Sequence, residues 1–118
     1  MDFKQKLFEE MKHFIKISEE FSRFPGARNY SDGNYSGEEF FDKILDSRFA
    51  QALAAKSKLT VDLDGTEGYA TSFLDEAFTR LAKKYTVRET LNNLIIISNE
   101  EPEWIDEIKT YISETGNS

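Results

Sequence analysis

Residues 59–81, Leu-Thr-Val-Asp-Leu-Asp-Gly-Thr-Glu-Gly-Tyr-Ala-Thr-Ser-Phe-Leu-Asp-Glu-Ala-Phe-Thr-Arg-Leu, constrain the fold more than any other part of the chain. The opening Leu59 to Leu63 is short, apolar and β-branched, and the Gly65 turn ends it, so it reads as a strand. Apolar residues then change period: Leu74, Ala77, Phe78, Leu81 and Tyr85 recur at three and four, which makes one buried stripe on a helix. Leu94-Ile-Ile-Ile97 follows, apolar on successive residues, and reads as a central strand covered on both faces. Strand, helix and strand in this order imply a crossover connection, which is right-handed when the two strands are parallel.

The flanking sequence supplies the remaining elements. Phe3, Leu7 and Met11 at a spacing of four predict a short amphipathic helix over residues 2–12, an appendage to a core of residues 13–115. Phe14-Ile-Lys-Ile17 alternates and predicts the first strand. Ser18 to Ser36 is rich in turn residues, including Pro25-Gly26 and Asp32-Gly33, and suggests a hairpin pairing residues 21–24 with 27–30. Ser36-Gly-Glu-Glu39 is a capping-box pattern opening a helix to about Ala55, with Phe40, Phe41, Ile44, Leu45, Phe49, Ala52 and Leu53 facing inward. Thr86-Val-Arg-Glu89 caps a further turn, and Pro102 suits the first turn of a closing helix carrying Trp104, Ile105, Ile108, Tyr111 and Ile112. The expected architecture is a single α/β domain with a small mixed β-sheet, helices packed mainly on one face, and a short N-terminal helix.

Composition narrows the chemistry. With 118 residues and ten Phe the chain is long enough for one sizeable core. Fifteen Lys and Arg against 22 Asp and Glu give a net charge of −7, which repels phosphate backbones and anionic lipid and disfavours nucleic acid and membrane as partners. Without cysteine there is no thiol catalysis, thiolate metal site or disulfide. His13, the single histidine, stands between Lys12 and Phe14 with no second ligand of its kind, and reads as a surface or boundary residue. No apolar run approaches the roughly 20 residues that cross a bilayer, and the charged N-terminal stretch does not resemble a leader, so a cytoplasmic location is expected. No phosphate-cradling glycine loop is present, and no cofactor is expected.

Two motif readings compete for the 62–76 region. Asp62-Leu-Asp64-Gly-Thr66 after an apolar strand resembles the first signature of haloacid dehalogenase-type phosphatases. That resemblance implies Mg²⁺, a nucleophilic Asp62 and a proton-transferring Asp64, with Lys83 or Lys84 neutralising phosphate and Glu100-Glu101 completing the metal site. The context opposes it: only one helix separates this strand from the next, where that chemistry needs a further strand ending in Ser or Thr and room for a cap. Strand alternation gives a plainer account, with Val61 and Leu63 on one face, Asp62 and Asp64 on the other or at the exit, and Asp-Gly as a turn pair.

A second resemblance covers about Phe14 to Ile112. Val61-Asp-Leu-Asp-Gly65, Tyr69-Ala-Thr-Ser-Phe-Leu-Asp-Glu-Ala-Phe78, Phe24-Pro-Gly-Ala-Arg28 and Ser36-Gly-Glu-Glu-Phe40 together resemble a bacterial STAS-like domain family of unknown function, the run at 72–78 being most specific. That family is similar to the anti-sigma-factor antagonists, phosphorylation-controlled binding modules built on a sheet flanked by helices. The resemblance implies a non-enzymatic regulatory module whose protein partner is a histidine-kinase-like ATPase; whether the chain is a monomer or a homodimer the sequence leaves open. Aligned from Val61-Asp-Leu63, Thr71 falls on the antagonists' phosphoacceptor and Ser72 on the residue after it. Ala70 stands where they carry Asp, and Phe73 where they carry Gly.

The surface implicated is the 65–78 turn and helix start, with Arg28, Gly65, Tyr69, Asp75 and Glu76 as partner-binding candidates. A phosphate on Thr71 or Ser72 meets free backbone N–H groups and the positive end of a helix dipole, whereas Asp75 and Glu76 oppose it. The plain alternative makes Ser72 an N-cap with Asp75 three residues on. Arg28 is either a solvated turn residue or a bidentate anchor for a partner's anion. Trp104, beside Pro102, is either core or a partly exposed contact.

Overall fold

A computed structural model describes residues 2–116, with side chains for all of these except residues 7–11. The elements run α1 (Phe3–Lys12), β1 (Phe14–Lys16), α2 (Ile17–Glu20), a 3₁₀ turn (Tyr30–Asp32), α3 (Gly37–Phe40), a π-helical turn (Phe41–Leu45), α4 (Asp46–Ala54), β2 (Leu59–Asp62), α5 (Thr71–Tyr85), α6 (Val87–Asn93), β3 (Leu94–Ile97) and α7 (Glu103–Thr115). The helix expected from Ser36 to about Ala55 is thus continuous but widened by one turn. Ser36 Oγ accepts the Glu39 N–H at 3.0 Å, while the Glu39 carboxylate reaches the Tyr35 N–H at 3.2 Å, one residue before the position a regular capping box uses.

The three strands form a sheet in the order β1-β2-β3, parallel throughout, with Ile15 opposite Val61 and Val61 opposite Ile96. This corrects the expected mixed sheet. The antiparallel pair it needed does not form, because residues 21–30 make no strand. Pro25 has no N–H to offer a ladder, and Gly26 lies so close to the 34–35 backbone that a Cβ there would meet Asn34 O at 2.1 Å. The loop is held instead by Gly26 N–H to Tyr35 O and Gly37 N–H to Ala27 O, and Phe21 turns inward against Phe40 and Phe73.

β2, not β3, is the central strand. Leu59 and Val61 are fully buried, together with Ile15, Ile17 and Leu63, in one cluster with Phe40, Leu45, Phe49, Phe73, Leu74, Phe78, Leu81, Ile108 and Ile112. On the opposite face, Phe14, Thr60 and Ile95 share a row, and Ile95 is 44 % exposed. The apolar run at 94–97 therefore reflects an edge strand with one covered face, not a strand covered on both. α5 packs between α3 and α7. At the α3 crossing Gly37 permits backbone contact, since a Cβ there would meet Phe73 O at 2.3 Å.

His13 also departs from expectation. It is 6 % exposed, and neither ring nitrogen has a hydrogen-bond partner among the described residues. Its carbonyl accepts the Thr60 N–H, and two-residue alternation puts it on the same side as buried Ile15. Among the described residues no helix is long and apolar enough to cross a membrane.

Candidate functional site

The site is built where β2 and β3 end. Asp62 Oδ1 accepts the Asp64 N–H at 2.9 Å and bends the chain out of β2, while Oδ2 lies 3.3 Å from Lys16 Nζ. Gly65 adopts φ +95°, a conformation that favours glycine, and a Cβ there would have to displace the Ser18 hydroxyl, which it would meet at 2.7 Å. Asp64 accepts from Glu100 N–H at 3.0 Å, Asn99 N–H at 3.2 Å and Asn99 Nδ2 at 3.0 Å, and Gly65 N–H donates to Glu100 Oε1 at 2.7 Å. The Glu100 N–H holds the Asp64 carboxyl below its ordinary range, against a smaller opposing effect of burial. Asp62 and Asp64 therefore join the loop after β2 to β1 and to the loop after β3. Among the described residues no three His, Asp or Glu side chains converge to hold a metal ion.

The loop then turns at Gly68 and presents Tyr69, whose hydroxyl donates to Leu63 O at 2.7 Å and whose ring lies 5.8 Å from that of Phe73. Burial raises the Tyr69 pKa well above that of a free phenol, so it remains a neutral donor. Tyr69 and Leu63 share a cavity of about 240 Å³ with Thr66, Glu67, Ser98, Glu100, Glu101 and Trp104.

α5 begins two residues earlier than a Ser72 cap requires. Its N-cap is Ala70, in extended conformation, and no side chain among the described residues caps the first turn. Thr71 and Ser72 occupy the first two helical positions, Thr71 exposed and Ser72 half-buried. Asp75 does not complete a capping box either. It accepts from Arg28 at 3.0 Å and from Thr79 Oγ1 at 2.9 Å. Glu76 lies 3.4 Å from the same Arg28 nitrogen and also pairs with Arg80, which reaches Glu38 at 3.2 Å. Arg28, Asp75 and Glu76 thus meet in an intramolecular ion network that anchors the 25–35 loop to α5. The hydrogen bond it donates to Asp75 strengthens the hold of Arg28 on its proton. Lys84 pairs with Asp46 at 2.7 Å, away from Asp62 and Asp64.

Residues 36–104, from the α3 cap to the first turn of α7, match the family model described as a STAS-like domain of unknown function (DUF4325). The chain belongs to that family. Within the STAS-like domain the matched stretch holds Gly65, Tyr69, Thr71, Ser72, Asp75 and Glu76 but not Arg28, and it is shorter than the span from Phe14 to Ile112 read from the sequence. No curated protein and no solved structure matches the chain significantly. Glu100, Glu101 and Trp104 were separable in the sequence only as acids after a strand and an aromatic near a proline. Their meeting with Tyr69 depends on the pairing of β2 with β3.

Proposed function

We propose that this STAS-like domain is a non-enzymatic, cytoplasmic regulatory module. It binds a protein partner through the 65–70 loop and the first turns of α5, and phosphorylation of Thr71 or Ser72 controls the binding. The observation that supports this best is the start of α5. An exposed hydroxyl residue stands at the first position of a 15-residue helix whose opening N–H groups no side chain caps among the described residues. A phosphate on Ser72 sits three and four residues before Asp75 and Glu76, on one helix face, and competes with them for the Arg28 guanidinium. Modification would then redraw the ion network and the charge of the surface together. The partner follows from the likeness to the anti-sigma-factor antagonists: a histidine-kinase-like ATPase. The roles of Asp62 and Asp64 in the loop, and the buried position of Asp62, favour this reading over phosphoryl transfer at those carboxylates.

The test is capture of partners from the native lysate with Mg-ATP, together with mass spectrometry of the 69–78 peptide. The expected result is an ATPase of that class in the bound set and phosphate on Thr71 or Ser72. Recovery of no ATPase, with an unmodified peptide, overturns it.

A further inference from the structure

The cavity beside Tyr69 lies beyond the carboxyl ends of β2 and β3, the end at which open parallel sheets receive ligands. Among the residues that line it are Leu63, the aromatic residues Tyr69 and Trp104, and four acids, Asp64, Glu67, Glu100 and Glu101, with no Lys or Arg. At about 240 Å³ it falls below the roughly 300–1,000 Å³ typical of small-molecule sites, so it suits a guest of side-chain size better than a nucleotide or cofactor.

The charge of that guest follows from the walls. Four carboxylates on a chain of net charge −7 favour a cation. Among the described residues the carboxylates do not converge as metal ligands do, whereas two aromatic residues in the lining suit a diffuse organic cation, a planar guanidinium above all. The acids also differ in capacity. Asp64 already accepts three N–H donors, Glu100 accepts from Gly65, and Glu67 pairs with Arg23 at 3.2 Å. Glu101 is exposed, and its carboxylate engages no described residue. We propose that this cavity receives an arginine side chain of the docked partner protein, clasped between Tyr69 and Trp104 and paired with Glu101. The arginine's origin in a partner rests on the module reading above; the cation selectivity of the cavity does not.

Trp104 is the single tryptophan, so its emission reports on the cavity directly. The full chain is titrated with N-acetyl-arginine methylamide and, separately, with the neutral citrulline counterpart, while indole and Gly68 amide NMR shifts give a second readout. The expected result is a saturable change with the arginine probe and none with citrulline, weakened about threefold or more by Glu101→Gln. No response to arginine, or an equal response to both probes, overturns the cavity's selectivity while leaving the module reading to its own capture experiment. If arginine binds but Glu101→Gln captures the ATPase as well as the unaltered chain does, the anchoring role is overturned.

Discussion

Asp64 and Glu100 hold each other's loops in a reciprocal clasp: the Asp64 carboxylate accepts the Glu100 N–H at 3.0 Å, and the Glu100 carboxylate accepts the N–H of Gly65, next to Asp64, at 2.7 Å. Two loops 35 residues apart are thereby joined at the mouth of the cavity. The clasp sets a pH dependence. The Asp64 pKa is lowered on folding, chiefly by the Glu100 N–H, so its contribution to stability is complete above the ordinary carboxyl value of 3.8 and is lost as pH falls through the lower folded value. Asp64→Asn should lower the denaturant midpoint at pH 7 and narrow the gap between midpoints at pH 7 and pH 3. An unchanged gap sinks the assignment.

Gly37→Ala should be among the more damaging single-methyl changes. The added Cβ meets the Phe73 carbonyl carbon at 3.1 Å and its oxygen at 2.3 Å, and backbone cannot yield as a flexible side chain can. α3 and α5 must separate, at a cost of about 1–3 kcal/mol. Gly33→Ala is the control: it has a positive φ of +142° but nothing within 4 Å, so it isolates backbone strain from the clash. Chemical denaturation should show Gly37→Ala unfolding at the lower denaturant concentration.

What the sequence disclosed was local. Alternation and β-branching located residues 14–16, 59–62 and 94–97, and the three-and-four spacing located α5 and α7, because these patterns follow from which side of one element is dry. β3 became an edge strand, and residues 21–30 a loop, through contacts far away in the chain: the pairing of Val61 with Ile96, and the approach of Gly26 to Asn34. The candidate site divides the same way. Thr71 and Ser72 were legible as hydroxyls at a helix start, but the identity of the cap depended on the path of the loop, which enters the helix at Ala70. Arg28 was legible as a charge beside a turn, while its pairing with Asp75, 47 residues on, required the fold. His13 lies beside a charged residue in sequence and beneath the fold in space.

Arg28→Ala should change stability little, by about 1 kcal/mol or less. Its pairs with Asp75 and Glu76 are partly exposed, with side-chain accessibilities of 41 % for Arg28 and 36 % and 17 % for its partners, and Glu76 keeps Arg80. A double-mutant cycle with Asp75→Ala measures the pair itself. A coupling above about 2 kcal/mol would show that the loop's position depends on this one contact.

Ala70→Asp tests whether the start of α5 is open, as the phosphorylation reading needs. Ala70 already has the extended backbone of an N-cap, with φ −83° and ψ 144°, and lacks only the oxygen. A side chain that accepts from the first-turn N–H groups should add about 0.5–2 kcal/mol, visible as a rise of a few degrees in Tm. Thr71→Glu gains from the dipole but sets a like charge four residues before Asp75. Ser72→Glu faces both Asp75 and Glu76 and should stabilise least of the three, by at most a few tenths of a kcal/mol. If Ala70→Asp leaves Tm unchanged, those N–H groups are already satisfied, and a phosphate on Thr71 or Ser72 would find no donors there.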